Sequence, residues 1–279
     1  MTPYMRLRIT AVLCNAFLLL IFCDSTLAQR SNIPSQSQSS VPAATKDAQA
    51  IYVLNQTLAA NGGALLTTIK DYSAAGSITY FMAGTEETGN VSLQAKGRDM
   101  FRLDADMGSG KRTWAVAHGT GKTLDPRITE PTKMPFANSL KMSNYVLPLL
   151  PLILGINDNT VSIQYKGTED VAGLSAHHVR VTLFAKFQAK ALGEDNDWID
   201  YFIDLNSFNV VKVSFFVLGQ KSMIKKYPFE LSYSGYQTQN GVNVPFVITE
   251  MVGGQLVSKI QLTSINFNQG IDESVFKMQ

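Results

Sequence analysis

The amino-acid sequence predicts a mainly β protein of the α+β class. The expected architecture is an incomplete antiparallel β-barrel of about eleven strands with an N-terminal helix and a helical lid. Three observations lead to it. From about residue 74 onward, apolar and polar residues alternate, which is typical of antiparallel strands with one buried face. Turns rich in Gly and Asn separate these runs, and one long apolar segment containing two prolines interrupts them.

The first element, residues 1–28, has the pattern of a secretory signal peptide. Arg6 and Arg8 form a basic start, residues 11–23 are largely apolar, and residues 26–28 offer small side chains for cleavage before Gln29. Both cysteines of the chain lie in this segment, so the mature protein has no thiol for a disulfide, a metal site or a nucleophile. We therefore expect a soluble protein that is periplasmic or secreted.

Two alternatives to simple secretion stay open for this segment. Cys23 can be read as the lipidated first residue of a lipoprotein, although the large Phe22 occupies the position where lipoprotein signals carry a small residue. Cys14, which follows Leu13, has the same defect. The other alternative is an uncleaved N-terminal anchor.

The next elements are a linker and a helix. Residues 29–45 are rich in Ser, Gln and Pro and predict a disordered linker before a single domain over residues 46–279. A helix is expected over about residues 46–60, with Thr45 as N-cap and with residues 61–63 (Asn-Gly-Gly) ending it. Its apolar residues recur at helical spacing: Ile51, Leu54 and Leu58.

The strands follow, and four runs show the alternation most clearly. Their apolar residues are expected on the buried face and their polar partners in water. The apolar positions are Val91, Leu93 and Ala95; Phe101, Leu103 and Ala105; Val161, Ile163 and Tyr165; and Val179, Val181 and Leu183.

Residues 135–156 (PFANSLKMSNYVLPLLPLILGI) interrupt the strands. Pro148 and Pro151 forbid one straight helix, so short helices over the concave face of the sheet are expected. Two interpretations stay open: a buried plug, or a lid over a cavity for acyl chains. In the second, the cavity-lining side chains of the lid are Tyr145, Leu147, Leu149, Leu150, Leu152, Ile153 and Leu154. They are expected to contact the strand residues Val91, Leu93, Phe101 and Leu103.

Composition and motifs argue against several functional classes. The net charge is only +2 and no Lys/Arg run occurs, which argues against nucleic-acid binding. His177 and His178 are adjacent on a strand and point to opposite faces, with His178 on the wet one, so no zinc site is expected. Residues 194–197 (Glu-Asp-Asn-Asp) are the densest acidic stretch and predict a solvated hairpin tip in preference to a calcium loop. With no G-x-S-x-G motif either, we expect no enzyme, catalytic residue, metal or cofactor.

Four segments carry a resemblance to a known family. They are residues 94–103 (QAKGRDMFRL), 201–212 (YFIDLNSFNVVK), 241–245 (GVNVP) and 271–276 (IDESVF). In this order, between a signal peptide and a closing tail, they resemble the LolA/LolB-like outer-membrane lipoprotein-sorting family. The resemblance implies an incomplete antiparallel barrel with a helical lid, and acyl chains as cargo carried across the periplasm. The family's lid-locking Arg-Pro pair falls on Gly97 and Arg98 without a proline, so that role is not carried over.

The sequence therefore predicts a periplasmic carrier that takes part in lipid transport and outer-membrane biogenesis. It would bind the acyl chains of a lipid or acylated protein in a hydrophobic cavity, where each buried methylene contributes about 0.8 kcal/mol. The alternative is a non-enzymatic envelope interaction or sensor module on the same scaffold. The expected partners are a lipid or acylated protein and envelope membrane proteins, with no nucleic acid, and the expected state is a monomer.

Overall fold

The computed structural model describes residues 44–82, 84–183, 198–219 and 222–278, and in these ranges one open antiparallel sheet of thirteen strands dominates. The strands are β1 (Asp71–Met82), β2 (Thr85–Lys96), β3 (Met100–Met107), β4 (Gly110–Ala117), β5 (Thr120–Leu124), β6 (Thr132–Met134), β7 (Val161–Val171), β8 (Leu174–Leu183), β9 (Trp198–Asp204), β10 (Val210–Gly219), β11 (Ser222–Gln239), β12 (Val242–Val252) and β13 (Gln255–Phe267).

The sheet consists of two meanders joined at its centre. Its strand order is β6-β5-β4-β3-β2-β1-β13-β12-β11-β10-β9-β8-β7, so the first and last strands are neighbours and β6 and β7 are the edges. The edges do not meet, which confirms the predicted incomplete barrel. The predicted count of about eleven strands is too low, because β5 and β6 are too short to show an alternating pattern.

The N-terminal helix, α1, spans Ala48–Ala60. Thr45 was predicted as its N-cap, and this is wrong: the cap is Asp47, whose side chain accepts hydrogen bonds from two backbone N–H groups of the first turn at 2.7 and 3.1 Å. The carbonyl of Thr45 instead accepts a hydrogen bond from the N–H of Ile163 at 2.8 Å. The chain before α1 is therefore extended along the edge of β7.

In the part of the chain that the structure describes, helix occurs in two further places besides α1 and the lid. A short helix, α2, spans Ala64–Thr67, and a 3-10 helix spans Glu273–Phe276 near the end of the chain. Neither was predicted, because four residues are too few to show a helical period. Among the described residues no single helix is long and apolar enough to cross a membrane. The two parts of the lid pass that test only when joined, and they meet at 104°.

The predicted alternation holds along the strands. Val91, Leu93, Phe101 and Leu103 are all buried, and Val91 and Leu93 stand opposite Ala105 and Leu103 in the β2–β3 pair. Their side chains lie on the concave face and belong to the hydrophobic core. The predicted signal peptide, nearly all of the linker, and the acidic residues 194–197 lie outside the described residues.

The opposite face of β8 and β9 carries a charged cluster around His178. This residue shares a face with Arg180, as predicted, but the expectation that it is solvated is wrong, because Glu169, Asp200 and Phe202 enclose it. Its ring nitrogens lie 2.6 Å from Glu169 and 2.9 Å from Asp200. Burial lowers the pKa of His178, but the contacts with Asp200 and Glu169 outweigh it, so the pKa is raised.

This cluster predicts a pH-dependent contribution to stability. A raised folded-state pKa stabilises the fold below the unfolded value of about 6.5, and the stabilisation is lost as pH rises through the folded value. The free energy of unfolding lost in His178→Gln should therefore be larger at pH 6 than at pH 9, measured by urea denaturation. His118→Gln, at a side chain that is 62% exposed, is the control. An equal loss at both pH values would contradict the prediction.

Candidate functional site

The lid over the concave face has two parts that meet at a sharp bend. The first contains a short helix, α3 (Phe136–Ser139), and a 3-10 helix (Met142–Asn144), and the second is helix α4 (Leu149–Ile156). Pro148 precedes α4 and Pro151 lies in its first turn, where the missing backbone N–H costs no intrahelical hydrogen bond. The prolines therefore start a new helix here and set the bend.

Polar side chains fix the first part of the lid to β10. The Asn138 side chain donates to the carbonyl of Leu218 at 2.9 Å and accepts from the Leu218 N–H at 2.8 Å. The buried Lys141 ammonium donates to the carbonyl of Phe216 at 3.0 Å. Because these groups are buried, breaking any of these hydrogen bonds would leave a buried polar group without a partner. This part of the lid is therefore held firmly.

The end of this first part is fixed to three more strands. The hydroxyls of Tyr201 (β9) and Tyr233 (β11) donate to the side-chain and backbone oxygens of Asn144, both at 2.6 Å. The Tyr145 hydroxyl donates to Glu250 of β12 at 2.6 Å. On its other side, the Tyr145 ring stacks on Phe101 with centroids 5.7 Å apart. Tyr145 thus fills the centre of the concave face.

Helix α4 is held differently, because all its residues are apolar. Polar contacts occur at its C-terminal end, where the Lys46 ammonium donates to the carbonyl of Ile156. Just beyond, the Arg98 guanidinium lies 2.7 Å from the Asp158 carboxylate. Arg98, together with hydrogen bonds from Thr160, holds the pKa of Asp158 well below its usual range. Contacts at one end and dispersion along its length therefore hold α4 on the sheet.

A first cavity of about 590 Å³ lies between α4 and strands β7 to β9. Arg98, Asp99, Asn144 and Thr160 also reach it, so it combines an apolar wall with a few polar groups. This composition and size are typical of small-molecule sites. The main apolar lining residues are Leu140, Leu152, Leu154, Ile163, Val181 and Leu183.

A second cavity of about 500 Å³ lies on the other side of the lid. The first part of the lid borders it through Asn138 and Met142. The remaining wall comes from strands β1, β4, β5, β6, β10, β11, β12 and β13, from residues 125, 127 and 128 after β5, and from Pro135. Its lining includes three groups of chemical interest: Tyr80, Arg112 and Glu250. The filled centre under Tyr145 therefore has a cavity on each side.

The predicted lid residues divide between the filled centre and the first cavity. Leu152 and Leu154 line the first cavity, Ile153 is partly buried against the core, and the others are buried: Tyr145, Leu147, Leu149 and Leu150. The predicted strand residues are buried on the concave face of the sheet, and one of them, Phe101, contacts Tyr145. They are Val91, Leu93, Phe101 and Leu103.

Sequence reasoning missed the strand residues that line the first cavity. Val181 and Leu183 have the right alternation, but nothing in the sequence shows that β8 borders the cavity and β2 does not. The polar lining groups of the second cavity, Tyr80, Arg112 and Glu250, were missed as well, since they come from three separate strands. Among the described residues, no group of three or more His, Cys, Asp or Glu is arranged to hold a metal ion.

Comparisons with known proteins give a result at the level of the fold. No protein-family model matches the chain, and no curated protein does. Among solved structures, a LolA superfamily protein from Nitrosomonas europaea is similar, with a TM-score of 0.53 and 9% identity over 82% of this chain and 97% of that one.

Two further solved structures are similar at lower scores. One is a putative outer membrane lipoprotein-sorting protein domain from Vibrio parahaemolyticus, with a TM-score of 0.49, 11% identity, and coverage of 82% of this chain and 96% of that one. The other is a DUF1329 family protein from Desulfovibrio piger, with a TM-score of 0.48, 10% identity, and coverage of 82% and 97%. The open sheet, its lid and the Nitrosomonas structure together show that this chain has the fold of the LolA superfamily.

Proposed function

We propose that the protein is a periplasmic or secreted carrier that binds the acyl chains of a lipid or lipoprotein in the first cavity, beneath α4. The observation that carries the proposal is this cavity of about 590 Å³ with an apolar wall under an all-apolar helix. The LolA-like fold, which the chain shares with the LolA superfamily protein from Nitrosomonas europaea, supports it.

The chemistry of the wall suits an alkyl chain. Leu152, Val181 and Ile199 contribute aliphatic surface, and a chain in contact with them gains about 0.8 kcal/mol for each methylene removed from water. Such burial is non-directional, so the site needs no precise array of polar groups. The polar residues Arg98 and Thr160 in the same cavity can face the head group.

The two parts of the lid have different roles in this proposal. The first part stays in place, because Asn138, Lys141 and Asn144 are hydrogen-bonded to the sheet. The C-terminal turn of α4 is the part that moves, since Leu154 is partly exposed there and the Arg98–Asp158 ion pair lies just beyond it. Leu150, nearer the start of the helix, stays packed in the core. Opening this turn widens the first cavity and admits the chain.

Charging the wall of this cavity should abolish binding. Leu154 lines the cavity and is 36% exposed, so Leu154→Asp can fold while placing a carboxylate beside the alkyl chain. We expect the affinity for a fluorescent acyl methyl ester to fall at least about tenfold, since one lost apolar side-chain contact is worth roughly 1.5 to 3 kcal/mol. Leu174→Asp, in the exposed start of β8, is the matched control.

The same experiment decides between the carrier and the alternative interaction or sensor module. Mass spectrometry of protein from its native host should find co-purified lipid in the wild type and less in Leu154→Asp. Wild-type protein that carries no lipid and binds no probe would reject the carrier proposal. The interaction module would then be the remaining explanation of the fold.

A further inference from the structure

A row of polar side chains crosses the concave face at the second cavity. Tyr80 of β1 stands opposite Ser258 of β13, which in turn stands opposite Glu250 of β12. Arg112 of β4 places its guanidinium over the Tyr80 ring, 4.6 Å from the ring centroid. Tyr80, Arg112 and Glu250 all line the cavity.

Two buried donors in this row have no acceptor among the residues that the structure describes. Tyr80 is only 3% exposed, and neither its hydroxyl nor the Arg112 Nε forms a hydrogen bond there. The terminal nitrogens of Arg112 do have neighbours: Nη1 lies 3.3 Å from Asp125, and Nη2 lies 3.5 Å from the sulfur of Met82. Leaving a buried donor without an acceptor destabilises a fold, so a ligand that supplies acceptors explains both positions.

Glu250, the third polar group of the cavity, is engaged by neighbouring side chains. Its Oε2 already accepts hydrogen bonds from Tyr145 at 2.6 Å and Ser258 at 2.8 Å. Burial raises the pKa of Glu250, and these two hydrogen bonds oppose the rise in part.

The rest of the cavity wall is mainly apolar. Aromatic and aliphatic side chains surround the polar row and leave about 500 Å³, enough for an alkyl chain. Two guanidinium groups, those of Arg112 and Arg127, lie around the single carboxylate of Asp125, which favours an anionic head group at this end of the cavity. The main apolar residues are Trp114, Ile128, Met142, Val217, Phe229 and Val257.

We propose that the second cavity binds a single-chain amphiphile with a carboxylate head, such as a fatty acid. The carboxylate accepts hydrogen bonds from the Tyr80 hydroxyl and the Arg112 Nε, and the chain lies along the apolar wall. This site is separate from the cavity beneath α4 and does not depend on the function proposed for that cavity.

The test compares three twelve-carbon probes by isothermal titration calorimetry: laurate, dodecanol and dodecylamine. The wild type should bind laurate most tightly and dodecylamine least. Tyr80→Phe should lower the laurate affinity at least about tenfold, because hydrogen bonds to charged groups are the stronger ones. Its melting temperature should not fall, since the lost hydroxyl has no partner among the described residues.

Two controls separate this site from the first cavity and from general effects. Tyr52→Phe removes a hydroxyl from a residue that is 55% exposed and should leave laurate binding unchanged. Leu154→Asp, in the first cavity, should not reduce the laurate affinity that is lost in Tyr80→Phe. Equal affinity for laurate and dodecylamine, or an unchanged laurate affinity in Tyr80→Phe, would overturn the proposal whether or not the first cavity binds lipid.

Discussion

Leu150→Asp should unfold the protein or lower its free energy of unfolding by about 4 kcal/mol or more. Leu150 is 1% exposed in α4 and belongs to the main hydrophobic core. Aspartate there removes the packing of a leucine and buries a carboxyl group without an opposite charge. Thermal and urea denaturation, followed by circular dichroism, measure the effect.

The matched control is Leu154→Asp on the same helix, which should leave the melting temperature within a few degrees of the wild type. The two variants test both interpretations of residues 135–156, the buried plug and the lid over a cavity, with one position for each. Leu150 belongs to the plug that fills the centre, whereas Leu154 borders the first cavity. A stable Leu150→Asp protein would show that α4 is not part of the core.

Asp71→Ala should lower the free energy of unfolding by about 3 kcal/mol or more. The buried Asp71 carboxylate, at the start of β1, accepts three backbone hydrogen bonds, from the N–H groups of Gln269 (2.7 Å), Gly270 (3.1 Å) and Ile271 (3.3 Å). Alanine leaves these donors without an acceptor and releases the segment after β13. Urea denaturation measures the loss.

Asp106→Ala provides the comparison, because Asp106 is an exposed residue of β3. Hydrogen exchange adds a local readout: the amides of residues 269–271 should lose protection in Asp71→Ala and keep it in Asp106→Ala. If Asp71→Ala and Asp106→Ala lose equal stability, the carboxylate does not hold this segment.

The parts of the fold that the sequence predicts are those governed by local periodicity. Phe101 and Leu103 are buried because residues two apart share a strand face. The lid was located because Pro148 and Pro151 exclude one straight helix. The N-cap was misassigned because Thr45 and Asp47 are both capping residues. In the structure Thr45 is bonded to Ile163 of β7, and Asp47 accepts from the first turn of the helix.

The interior of the site depends on contacts between distant residues. Asn138 and Asn144 are ordinary polar residues in the sequence, yet they fix the lid through Leu218, Tyr201 and Tyr233. No local pattern reports such pairs. The cavities follow from how completely the lid side chains fill the concave face, which is a property of packing and not of residue type.

The pairing of β1 with β13 has a consequence for how the protein folds. Each meander consists of neighbouring hairpins that can form early, but Tyr72 must find Phe267 from nearly the other end of the domain. We expect this search to make joining of the two halves the slow step, and it cannot begin until β13 has emerged from the ribosome. Until then the inner edges of both meanders, β1 and the last completed strand, expose unpaired backbone groups to other chains. The chain is therefore protected from aggregation if it is kept unfolded or bound to a chaperone until its C-terminal strand is available.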